Sequence, residues 1–171
     1  MSKKELKAFL NELSAEELRA EIIKLYERFT PVQDYYRMEL TSDTSEILND
    51  YKARIEKEYF PSRGFGKARS SETRKIEIEF KKIAVFKKDV IELILFKVEI
   101  MIQYSIEYGD IDEPFYITLE KSYENACKMI HDEKLLSFFR GKWHKLLNLT
   151  YNFGWGVHEN MKDSFYNWIN K

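Results

Sequence analysis

The sequence predicts an all-α fold, and three observations carry that reading. Six glycines and three prolines in 171 residues are too few for the many turns of an all-β domain. Apolar side chains recur at spacings of three and four through nearly every segment. Helix-start signatures separate those segments. An apolar share of 44% supports a real core, and the length suits a single domain over 1–171 rather than two. The 15% aromatic content suggests wide helix contacts filled by Tyr and Phe.

The elements follow in order. Ser2-Lys3-Lys4-Glu5 and Ser14-Ala15-Glu16-Glu17 both fit the capping box, in which a Ser caps the helix and a Glu three residues on reciprocates. The first helix shows Leu6, Phe9, Leu10 and Leu13 on one face, and the second Leu18, Ile22, Leu25, Tyr26 and Phe29. Thr30-Pro31 reads as a new cap with proline at the first helical position, starting a short helix to about Leu40. After the polar run Thr41 to Ser45, a helix should face Ile47, Leu48, Tyr51, Ile55 and Tyr59 inward.

The longest loop, Tyr59 to Ser71, holds one proline, two glycines and the cations Arg63, Lys67 and Arg69. Ser70 or Ser71 should cap the next helix, whose face is Ile76, Phe80 and Ile83; its Ile76–Phe80 alternation also fits a strand, which would have no partner. Lys87 to Tyr108 is the most apolar helix and should lie at the centre, with Glu92, Glu99 and Gln103 as a narrow polar seam. Glu92, Lys97, Glu99 and Gln103 within Val90–Ile106 make it a buried helix rather than a membrane span. Gly109 ends it, and Asp110-Ile111-Asp112-Glu113-Pro114 opens a helix to about His131. Lys134 to Phe153 predicts another, weakest at Gly141, and a last helix carries Met161, Phe165, Trp168 and Ile169. Eight or nine helices joined by short loops fit irregular antiparallel hairpins without a strict repeat. If successive helices alternate in direction, loops 61–70, 109–113 and 152–157 fall at one end of the molecule.

The pair EYFPSRGFGKAR (58–69) and YGDIDEPFY (108–116) resembles the marker segments of an uncharacterised family of small all-helical bacterial proteins, classed as a domain of unknown function. The likeness runs from the SKKELK start to about residue 140. It implies a helical fold and carries no activity, substrate or cofactor.

Charge is uneven along the chain. Residues 52–88 hold twelve Lys or Arg against five Glu, +7, so a net charge of −1 leaves −8 for the remainder. Such polarity serves either a binding surface or mutual neutralisation of the two parts. The glycines of the basic loop could expose backbone N–H groups to an anion, with Arg63, Lys67 and Arg69 around it. Alternatively they supply positive φ while the cations pair with the acidic loop. The P-loop spacing GxxxxGK[ST] is absent, and no strand precedes the loop as a dinucleotide site requires.

Asp110, Asp112 and Glu113 fail the EF-hand pattern after its third position and suit helix capping. His131, His144 and His158 lack metal-ligand spacing, and His131 and His158 are placed to meet helix ends. Cys127 is the only cysteine, so no internal disulfide can form; its apolar neighbours read as core. Tyr35, Tyr36, Tyr104, Tyr108, Tyr116, Tyr123 and Tyr151 suit either helix packing or an aromatic groove.

The expected function is a non-catalytic cytoplasmic module that binds a protein partner at the loop end, through Arg63, Phe65, Lys67, Arg69, Asp110, Asp112, Glu113 and Trp155. No cofactor, metal or catalytic residue is assigned. The alternative is nucleic-acid or phosphate binding through Arg54, Arg63, Lys67, Arg69, Arg74 and Lys75. Trp155, Tyr166 and Trp168 could form an apolar patch for a homodimer. An enzyme with a carboxylate and arginine site between the loops is the remaining class.

Overall fold

The most apolar stretch of the chain forms the longest helix, and the others are arranged on it. The computed structural model describes residues 1–41 and 43–168, among which there are nine helices and no strand. They are α1 (Lys3–Glu12), α2 (Ala15–Arg28), α3 (Thr30–Leu40), α4 (Ser45–Tyr59), α5 (Ser70–Ile83), α6 (Lys87–Tyr108), α7 (Glu113–Asp132), α8 (Leu136–Leu149) and α9 (Val157–Trp168). α6 is apolar nearly all round, which is the pattern of a helix buried on every side. It packs against α4, α5, α7 and α8, and α9 closes over α7 and α8.

Four charged residues of α6 are tied to neighbouring segments. Buried Asp89 accepts from Thr44 Oγ1 at 2.7 Å. Glu92 takes Lys52 of α4 at 2.7 Å and Lys142 of α8 at 2.6 Å. Lys97 forms a buried pair with Glu77 of α5, and Glu99 meets Lys145 of α8 at 2.9 Å. Of the expected seam, Glu92 and Glu99 therefore clamp helices, while Gln103 stays exposed. Burial raises the Glu92 carboxyl, but the ammonium groups of Lys142 and Lys52 outweigh it and hold it below the usual range.

The expected inward faces of α4 and α5 are the buried ones: Ile47, Leu48, Tyr51, Ile55 and Tyr59, then Ile76, Phe80 and Ile83. Residues 76–80 are helical, which resolves the strand alternative. Both serine capping boxes form, at Ser2 with Glu5 and Ser14 with Glu17. Two other caps differ from expectation. Thr30 is the first residue of α3 and Phe29 its N-cap, so Pro31 sits second. Ser70 likewise begins α5 behind Arg69, and no side chain caps that end, because the backbone turns into the helix one residue earlier than the serines.

α8 is shorter than the predicted 134–153 at both ends. Lys134 takes φ 56° in a left-handed turn, with Leu135 N–H returning to Ile130 O, and Thr150 closes the far end. Gly141 interrupts nothing, since good helix formers flank it. Met161 and Phe165 of α9 are buried and Trp168 packs partly against the core, whereas Ile169 lies outside the described residues. α1 and α2 bury no side chain at all. α2 lies on α3, which reaches the body through Met38 and α5.

Candidate binding site at the loop end

The loop between α4 and α5 is held by a single carboxylate. Glu58, in the last turn of α4, accepts from Arg69 Nε at 2.8 Å, Arg69 Nη2 at 3.0 Å and the Arg69 backbone N–H at 3.1 Å. This two-pronged geometry holds the Glu58 carboxyl below its usual range. Ala68 N–H donates to Glu58 O, and Tyr104 of α6 donates its hydroxyl to Gly66 O at 3.1 Å. The two glycines are needed for different reasons. Gly64 has φ 74°, whereas a Cβ on Gly66 would lie 1.8 Å from the Tyr59 carbonyl oxygen. Ala68 is also held at φ 48°, a conformation that L-residues adopt only at a cost of about 1–2 kcal/mol.

This pinned loop presents an exposed aromatic among cations. Phe65 is 82% exposed, its ring edge-on to Tyr108 at 5.9 Å. Arg54, Lys57, Arg63, Phe65, Lys67 and Arg69 surround Glu58 in an open depression of about 320 Å³. Glu58 is committed to Arg69, and Arg54 pairs with Glu79 at 2.5 Å. Lys57, Arg63 and Lys67 have no carboxylate partner among the described residues.

The acidic loop lies beside this one without neutralising it, and the 152–157 loop meets the acidic loop. Asp112 caps α7, accepting from Phe115 N–H at 2.9 Å, and Asp110 accepts from Trp155 Nε1 at 2.8 Å. Trp155 has φ 61° and stacks over Tyr116. The Tyr116 hydroxyl reaches Ser105 Oγ at 2.7 Å and accepts from Ile111 N–H at 3.2 Å. Glu113 is exposed in the first turn of α7. Pairing of the basic loop with the acidic loop is not observed. Asp110 and Asp112 are engaged by a tryptophan and a helix end, so they neither clasp the arginines nor form a carboxylate–arginine centre.

A cleft of about 420 Å³ nevertheless brings Lys67 and Arg69 beside Ile111 and Asp112. Through Ser70, Ser71 and Thr118 it adjoins a second cleft of about 710 Å³ between α5 and α7. Arg74, Lys75 and Lys121 line that second cleft, with the Lys97–Glu77 pair at its wall. Lys75 also pairs with Glu72 at 2.8 Å.

Sequence reading missed Glu58, Lys57 and Lys121 as parts of this surface, and offered Tyr104 and Tyr108 only for helix packing or an aromatic groove. Glu58 stands in α4 and Arg69 at the far side of an irregular loop, where helical spacing gives no pairing signal. Lys121 reaches the cleft from α7. The other candidates are structural. Burial pushes the Cys127 thiol up to about 12. His158 Nδ1 lies 3.2 Å from Leu147 O near the end of α8, and His131 packs against Trp168. Trp168 also has Lys128 over its ring, so it and Trp155 are engaged within the chain, leaving Tyr166 half-exposed. Tyr116 and Tyr123 are buried, whereas Tyr35, Tyr108 and Tyr151 are exposed. No helix is long and apolar enough to cross a membrane among the described residues.

Comparison with protein families agrees with the resemblance read from the two loops. The chain belongs to a family of unknown function (DUF6155), whose model matches residues 1–168. The match extends past residue 140, where the resemblance had faded, and takes in α8 and α9. No curated protein and no solved structure matches the chain.

Proposed function

We propose that this protein is a non-catalytic cytoplasmic module, in a bacterium, that binds an acidic segment of a protein partner at the loop end. The observation that carries the reading is Phe65, an 82% exposed aromatic on a loop fixed at Glu58, Gly66 and Tyr104. Water disfavours exposing such a ring, and a pinned loop has little entropy left to lose when a partner covers it. Arg63 and Lys67 beside it, without a carboxylate partner among the described residues, select for acidic groups around an apolar anchor. Asp110, Asp112, Glu113 and Trp155 support the neighbouring wall rather than the contact.

Selection of displayed random peptides on the wild-type chain tests this, with Phe65→Ser and Arg63→Glu as controls. The expected result is enrichment of peptides carrying an apolar residue flanked by Asp or Glu, lost on either control. Equal recovery on all three proteins would overturn the reading. A second reading, nucleic-acid or phosphate binding, is favoured by the continuity of the three clefts, whose cations include Arg63, Lys67, Arg69, Arg74, Lys75 and Lys121. Fluorescence anisotropy with a random single strand should then show binding that weakens steeply with salt and with Arg74→Glu.

A further inference from the structure

We infer that the α1–α2 arm is a self-association element that packs against the same arm of a second copy. Both helices are locally specified, each starting with a complete capping box. Helices of ten and fourteen residues are marginal in water unless an apolar face is covered. Neither helix buries a side chain, although Leu6, Phe9, Ile22, Leu25, Tyr26 and Phe29 lie on their apolar faces. These six are between 38% and 51% exposed.

Area and charge identify the occupant. Six large apolar side chains half-exposed offer roughly 500–600 Å² per copy, and the adjoining Leu10, Leu13 and Leu18 bring this close to the ~800 Å² per partner of a stable interface. The charges of the arm suit its own copy. α1 has three lysines against two glutamates, +1, and α2 has four glutamates against three cations, −1. Laying α1 of one copy beside α2 of the other sets a helix of net charge +1 against one of net charge −1. The same patch serves both copies, as a two-fold interface requires.

Sedimentation velocity across about 1 to 200 µM tests this by mass action. The wild type should shift from monomer to dimer, and Phe9→Glu with Ile22→Glu should stay monomeric with its helix signal kept. A wild type that remains monomeric throughout, or a variant that still dimerises, would overturn the proposal. A second measurement holds if the double variant does not fold. Cys127 is buried, so Phe9→Cys supplies the one accessible thiol. Under mild oxidation it should form covalent dimers at least about tenfold faster than Ile106→Cys, whose site on α6 is exposed. Equal rates would count against pairing of the arms.

Discussion

α2 carries its apolar residues along one face and α6 nearly all round, and α6 buries twelve residues where α2 buries none. The two helices differ in what surrounds them. α6 lies among four other helices, while α2 packs mainly on α3. Periodicity identifies a face that wants covering; whether the cover lies in the same chain is decided by topology. A protein built this way carries a stable body and an arm whose folding depends on company.

The largest expected effect separates these regions directly. Leu95→Ala, at a fully buried α6 site, should cost about 3 kcal/mol in denaturant unfolding. Ile22→Ala should stay within about 0.5 kcal/mol when measured at a concentration that keeps the chain monomeric. Comparable losses from both would erase the distinction between body and arm.

A contrast within the body sharpens it. Gly66→Ala drives a Cβ into the Tyr59 carbonyl, so it should cost about 2–3 kcal/mol and release Phe65 from its position. Gly64→Ala meets open space and carries only the positive-φ penalty, about 1 kcal/mol. Thermal unfolding of the pair decides this, and equal costs would mean that the close approach at Gly66 can relax.

The last contrast concerns Glu92. Its folded carboxyl titrates below the ordinary value of about 4.3, so its contribution is complete above that pH and lost as pH falls through the folded value. Stability should be level near neutrality and decline below about pH 4. Glu92→Gln should remove about 2 kcal/mol at pH 7 and flatten that decline, read as denaturant midpoint against pH. An unchanged acid limb would assign the decline to other carboxylates.

Much of the architecture was legible because local chemistry decided it. The five inward residues of α4, the bounds of α6 and the two serine capping boxes follow from spacing and short-range hydrogen bonds. The caps at Thr30 and Ser70 were misplaced by one residue, since the tertiary path of the chain chose where each helix begins. At the loop end, the meeting of the three loops was legible and the pairing between them was not. Arg69 takes Glu58 and Asp110 takes Trp155, partners separated by eleven and forty-five residues, which composition cannot distinguish from a bridge between the loops.

The shared carboxylate of Glu92 has a bearing on cooperativity. One side chain is held simultaneously by Lys52, forty residues before it, and Lys142, fifty residues after it. Opening either α4 or α8 therefore disturbs a half-buried carboxylate that the other helix also uses. The body should melt as one unit, with early and late segments of the chain losing hydrogen-exchange protection together rather than in succession.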